Sequence, residues 1–215
     1  MEQRYLANLN FVPLSYTQQC LKGVRAEDPF YPRFWEERIE EIKPSGAWWD
    51  TLGGRQGRGI FVCDMGELFG DWLPYKWQEQ VFDAIKSDPL DRFYLLTKQP
   101  QNLIKWSPFP SNCFVGVTAT NQDMYDSAVY HLGRIQARIR YISLEPLLSP
   151  IHLPNYKDVD WLILGGKSGK DKFYPPEDWI QKIEAVIDRL GISTFIFEKL
   201  NLRKTWDKPP RQELP

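Results

Sequence analysis

The run WLILGGKSGKDKFYPPEDWIQKIEAVIDRLGISTFIF, residues 161–197, decides the fold class. It opens on Trp161–Leu164, four apolar residues of strand character, and closes on a second such run, Thr194–Phe197. Between them Trp179, Ile180, Ile183, Val186, Ile187 and Leu190 recur at helical spacing, and Gly191 stands where a C-cap belongs. Strand, helix and strand in this order make two parallel strands joined by a helical crossover. Both strands are near-continuous apolar runs rather than alternating ones, so each is expected to be covered on both faces.

The same alternation extends toward the N-terminus. Ile139–Leu144 (IRYISL), Phe114–Thr118 (FVGVT), Phe93–Thr97 (FYLLT) and Ile60–Cys63 (IFVC) are further strand candidates. Asn121 is placed to cap a helix whose buried face carries Ala128, Val129, Leu132 and Ile135. Trp77, Val81, Phe82 and Ile85 form another helical stripe after Pro74, a residue suited to helix starts. The link around Trp106–Pro110 is Pro-rich and has only a weak helical pattern. Strands and helices interleaved in this way predict an α/β fold of about six strands, either a partial parallel βα barrel or an open doubly wound sheet. The chain reads as one domain: 1–59 an N-terminal arm and loop, 60–202 the βα core, 203–215 a C-terminal tail. Within the arm a short helix is expected over Glu36–Ile42, followed by a glycine-rich, mobile loop over 43–59.

A chain of 215 residues buries enough apolar surface to need no staple. Its 42% hydrophobic and 26% charged residues are those of a soluble globular protein. Aromatic residues reach 14%, with nine Trp, which reads first as packing and second as a surface on which bases stack. The net charge of −1 gives no global field drawing the chain to nucleic acid. Cys20, Cys63 and Cys113 are too far apart for a C-x-x-C metal site and too few for a disulfide framework, which points to a reducing compartment. The opening MEQRYLANLNFV has no basic segment followed by an apolar core, so no signal peptide is read there. No apolar run approaches the roughly 20 residues a membrane helix needs. A soluble, cytoplasmic protein without a membrane partner is expected.

In parallel α/β folds ligands gather where the strands end, because loops and helix N-termini meet there. The polar residues after each strand candidate are Asp64 and Glu67, Lys98, Thr118 and Asn121, Ser143 and Glu145, then Gly165, Gly166, Lys167 and Ser168. These are the candidate ligand-binding residues. Strand ends are polar in most α/β proteins, and some of these groups are expected to cap helices instead. The Gly165–Gly169 turn suits a phosphate held by backbone amides with Lys167 as counter-charge, although it lacks the spacing of a P-loop. No catalytic residue stands out. Cys63 reads as packing, and His131 and His152, the only histidines, read as structural. No Ser-His-Asp arrangement is seen, and two histidines are too few for a histidine-rich metal site.

A set of ordered motifs adds a resemblance to this reading. IFVCDMGELFGDWLP (60–74), FYLLTKQPQNL (93–103), NCFVGVTATNQ (112–122), YISLEPLLSPI (141–151) and DWLILGGKSG (160–169) are joined by FYPRFWEERIEEI (30–42), FEKLNL (197–202) and RQELP (211–215). In these stretches the chain resembles an uncharacterised family of phage, bacterial and archaeal proteins related to the radical S-adenosylmethionine (SAM) barrels. The resemblance implies a partial parallel βα barrel. Its relatives open on C-x3-C-x2-C, whose thiolates hold three irons of a [4Fe–4S] cluster and leave the fourth open for SAM. Here the corresponding positions are Asn8, Val12 and Ser15, none of which is a thiolate, and Cys20 alone cannot anchor a cluster. No [4Fe–4S] cluster is therefore expected. The family's Gly-Gly-Glu-Ser-Gly turn is Gly-Gly-Lys-Ser-Gly here, so Lys167 replaces an acid and favours an anionic ligand.

Three functional expectations follow. The leading one is a cluster-less barrel that binds a nucleotide, a SAM-like molecule or another phosphate-bearing ligand at the strand-end rim. The second is a non-catalytic DNA- or protein-binding component, with Arg55–Arg58, Arg134–Arg140 and Lys199–Lys208 beside Trp206 meeting phosphates. The third is a remnant of a radical SAM enzyme whose cluster-bearing start was lost. Whether the chain is an enzyme, and its oligomeric state, the sequence leaves open.

Overall fold

The computed structural model describes residues 34–42, 57–63, 66–153, 158–196 and 213–215. Asp64, the positions Asn8, Val12, Ser15 and Cys20, the arm at Phe30, Arg55, most of the 43–59 loop and the Lys199–Lys208 segment lie outside them. Six strands, β1 (Gly59–Val62), β2 (Arg92–Thr97), β3 (Cys113–Thr118), β4 (Ile139–Leu144), β5 (Trp161–Leu164) and β6 (Ser193–Ile196), form one sheet whose spatial order follows the chain. The pairs β1–β2, β4–β5 and β5–β6 run parallel. An order without reversal belongs to a βα barrel, in which every crossover steps to the next strand in one sense. A doubly wound sheet reverses at a switch point. The fold is α/β, a partial parallel βα barrel. Each strand lies within a residue of its sequence expectation.

The chain divides into two compact units, Met1–Thr97 with Phe109–Phe114, and Lys98–Pro108 with Val115–Pro215. In the first, helix α1 (Tyr75–Ser87) buries Val81, Phe82, Ala84 and Ile85. Phe82 joins Phe69 and Phe109 in a three-ring cluster with centroids 6.0–6.3 Å apart. Trp77, expected on the buried stripe, is only half-buried and stacks on Phe34 at 5.5 Å. Below the strands Arg58 is enclosed by carboxylates. Its Nε and backbone N–H donate to Asp91 at 2.5 and 2.7 Å, and a terminal nitrogen donates to Ile42 O at 2.8 Å. Asp88 lies 3.7 Å away, and neither aspartate side chain is exposed.

In the second unit, helix α2 (Gln122–Leu132) buries Tyr125, Ala128 and Leu132, and helix α3 (Glu177–Leu190) buries Ile180, Ile183 and Ile187. The expected stripe on α2 is corrected in two places. Val129 is half-buried because Tyr125 leads the packed row, and Ile135 is buried from beyond the helix end. Leu190 and Val186 likewise fall at the margin of α3. Gly191 caps α3 at φ 67°, where a side chain is disfavoured, and its N–H reaches Ile187 O at 2.8 Å. A 3-10 helix, Pro100–Trp106, forms where only a Pro-rich link was expected, because Pro100 presets the first turn and α2 packs on it. The short helix of the arm is likewise a 3-10 turn, Glu36–Glu41. On β3, Gly116 has no side chain because the Tyr141 ring of β4 occupies that space. At β6, Glu213 donates its N–H to Thr194 O at 2.9 Å, accepts Thr194 N–H on its carboxylate at 3.1 Å, and accepts Trp161 Nε1–H on its carbonyl at 2.9 Å. Among the described residues no helix is long and apolar enough to cross a membrane.

Candidate functional site

Two groups of strand-end residues take shape, one in each unit. In the first unit β1 runs into Cys63, a buried residue at φ 57°, and Gly66 N–H closes a turn onto Cys63 O at 3.0 Å. A non-glycine residue in the left-handed region is strained by roughly 1 kcal/mol or more, and such strain collects at functional loops. Asp64 follows directly but lies outside the described residues. Glu67 accepts the Thr97 hydroxyl at 2.6 Å and Phe69 N–H at 3.1 Å. Glu67 thus ties the loop after β1 to the end of β2, which is a positioning role. The pairing could not be read from sequence, since the partners are thirty positions apart.

In the second unit the ends of β3, β4 and β5 are stitched together by backbone bonds. Ala119 N–H donates to Ser143 O at 2.9 Å and Gly165 N–H to Leu144 O at 3.1 Å. Beyond the strands Leu147 N–H reaches Gly165 O at 2.8 Å and Leu148 N–H reaches Thr120 O at 3.2 Å. Ser143 and Glu145 are thereby set between Thr118 on one side and Gly165 on the other. Thr118 and Ser143 are buried. The Ser143 hydroxyl donates to a Glu145 carboxylate oxygen at 3.4 Å. Burial pushes the Glu145 carboxyl above its usual range, and the Ser143 hydroxyl opposes that shift.

The remaining candidates sort by what already holds them. Asn121 caps α2, accepting Met124 N–H at 3.0 Å, so its carbonyl oxygen serves the helix. Gly165 and Gly166 are buried, and a Cβ at Gly166 would lie 2.6 Å from Phe173 O. Lys167 pairs antiparallel with Phe173 through bonds of 2.9 and 3.1 Å. Its backbone amide is therefore occupied, and what it offers a ligand is its ammonium group rather than the expected N–H cradle. Ser168 lies exposed on the tip of this hairpin, and Lys98 is exposed at the start of the second unit's chain. Sequence reasoning missed Gln122, whose amide accepts His152 N–H at 2.7 Å and donates to His152 O at 3.1 Å. That reciprocal clasp fixes the loop after β4, and nothing in the pattern around Gln122 signals it.

Thiol and metal chemistry fit the described residues poorly. Cys113 is buried and its thiol is pushed up to about 12, so it stays protonated. No group of three His, Cys, Asp or Glu side chains among the described residues is set to hold a metal ion.

The raised Glu145 carboxyl makes a pH prediction. The folded state binds this proton more tightly than the unfolded chain, so stability is lost as pH rises from the ordinary carboxylate range through the folded value. Glu145→Gln should melt at or above the wild-type temperature at neutral pH, and the difference should vanish in acid. Paired thermal melts from acid to neutral pH check this; a variant less stable at every pH refutes it.

A family model described as "Protein of unknown function (DUF5131)" matches residues 18–206. No curated protein and no solved structure matches the chain.

Proposed function

The chain belongs to this DUF5131 family, and from that premise we propose that it is a cluster-less, radical SAM-like barrel that binds a small phosphate-bearing ligand, a nucleotide or SAM-like molecule, at the rim of its second unit. Thr118, Ser143, Glu145, Gly165, Gly166, Lys167 and Ser168 form the site. The observation that carries the reading is the stitching of three strand ends around the Ser143–Glu145 pair. A few converging polar groups above apolar strands are what small-molecule sites contain. The Lys167 ammonium supplies the charge for an anionic group, and the Ser143–Glu145 pair supplies a hydroxyl and a carboxyl for hydrogen bonds to hydroxyls or amines. The order of the motifs at the strand ends supports the radical SAM kinship. The donor set at Asn8, Val12 and Ser15 does not fit a cluster.

The test is a thermal-shift titration with SAM, ATP and tripolyphosphate, repeated on Lys167→Ala. A ligand at a hundred times its Kd stabilises by about 2.7 kcal/mol, and each kcal/mol raises Tm by about 2–4 °C at this chain length. Shifts of that order in wild type, reduced in Lys167→Ala, are expected. A flat response to all three compounds at millimolar concentration sinks the proposal.

A further inference from the structure

Acidic residues are unevenly distributed in the second unit. Residues 98–108 and 127–144 contain none, and they hold Lys98, Lys105, Arg134, Arg138 and Arg140. The structure brings these two segments together. The 3-10 helix Pro100–Trp106 packs on α2, and Gln136 N–H donates to the Ser107 hydroxyl at 2.9 Å. Lys105 thus stands two positions from one end of that hydrogen bond, and Arg134 and Arg138 two positions to either side of the other. All three side chains are exposed.

Arg140 does not share this surface. It is engaged by Asp158 at 3.1 Å and Asp160 at 3.5 Å. Asp158 is therefore occupied, as is Asp126 on α2, which accepts from Gln122 at 2.8 Å. Arg134 is held in place by Tyr130. Its guanidinium carbon lies 5.1 Å from the ring centroid, and it donates to the Tyr130 hydroxyl. The His131 ring meets Tyr130 edge-on at 5.0 Å. Burial, and then Arg134, lower the His131 pKa.

We propose that Lys105, Arg134 and Arg138, arranged around the Gln136–Ser107 hydrogen bond, form a docking surface for the phosphate backbone of duplex nucleic acid. Arginine's planar fork matches phosphate oxygens, and stacking on Tyr130 orders Arg134 before it binds. The Tyr130 ring is 58% exposed, but Arg134 lies over it, so what this side chain presents is an ordered cation beside the ring rather than a bare aromatic face. That favours backbone recognition of a duplex over single-strand stacking. The surface precedes β4 and the rim follows it, about 20 Å away along a strand of this length. The two proposals therefore fail or hold independently.

Fluorescence anisotropy of the full chain with a short labelled DNA duplex, titrated with salt, tests this surface. Binding at low salt with a steep decline on adding salt is expected, at about 0.9 in log–log slope per neutralised phosphate. R134S/R138S should make that slope shallower by about 1.8 and weaken binding to all sequences alike. K182S/R189S, which removes the same charge from the exposed side of α3, should leave the slope unchanged, and melting curves of both variants confirm that they fold. The proposal is overturned if wild type shows no salt-dependent binding, if R134S/R138S keeps the wild-type slope, or if both double variants lose it equally. Preference for anionic lipid vesicles over the duplex also overturns it.

Discussion

Replacing Asp91 by alanine should cost about 3–5 kcal/mol of folding stability, the range for breaking a buried ion pair from one side. Asp91 receives both the side chain and the backbone N–H of Arg58, and its own side chain is fully buried. Removal leaves a guanidinium that is 9% exposed, with Asp88 at 3.7 Å and the Ile42 carbonyl at 2.8 Å among its other contacts. Neither replaces a carboxylate oxygen that meets two guanidinium nitrogens at 2.5 Å. Urea denaturation of Asp91→Ala and of the double variant R58M/D91L separates two terms. The double variant should recover much of the loss, because the charge and its counter-charge leave together. Equal instability in both would show that the packing of this corner matters more than its charges.

Gly116→Ala should be the next most damaging substitution. A Cβ there would overlap the Tyr141 ring, which is fully buried and lies 5.4 Å from the Trp161 ring. The ring has little freedom to retreat, so the strain of overpacking, typically 1–3 kcal/mol, falls on β3 and β4. Tyr141→Leu removes the overlap. The double variant G116A/Y141L should therefore be more stable than the two single losses added together, in the sense of a double-mutant cycle. Simple additivity would mean that Gly116 is required for another reason.

Much of this fold is legible in the sequence because its strands are short, largely apolar, β-rich runs. WLIL and IRYISL have no Gly or Pro inside them, and Asn121 and Gly191 mark helix ends by chemistry that acts locally. The 3-10 helix Pro100–Trp106 is not legible, since a helix of this kind has no 3.6-residue periodicity and depends on α2 for support. The candidate site divides in the same way. Which residue types stand at strand ends follows from where the apolar runs stop. Whether Glu67 meets Thr97, or Lys167 turns back onto Phe173, depends on register and loop path, which no local pattern encodes. The basic stretch Arg134–Arg140 shows the limit most clearly, because only the fold separates Arg140, neutralised by two aspartates, from its exposed neighbours.

β6 stands last in the sheet, and a terminal strand with open amides and carbonyls is a template on which a foreign chain can grow. Glu213 answers Thr194 on both counts, its own amide meeting the carbonyl and its carboxylate standing in for the carbonyl of a neighbouring strand, of which the described residues supply none on that side. One residue near the carboxyl terminus thus counterfeits the next rung of the ladder, and in doing so blunts the place where runaway fibril assembly would begin.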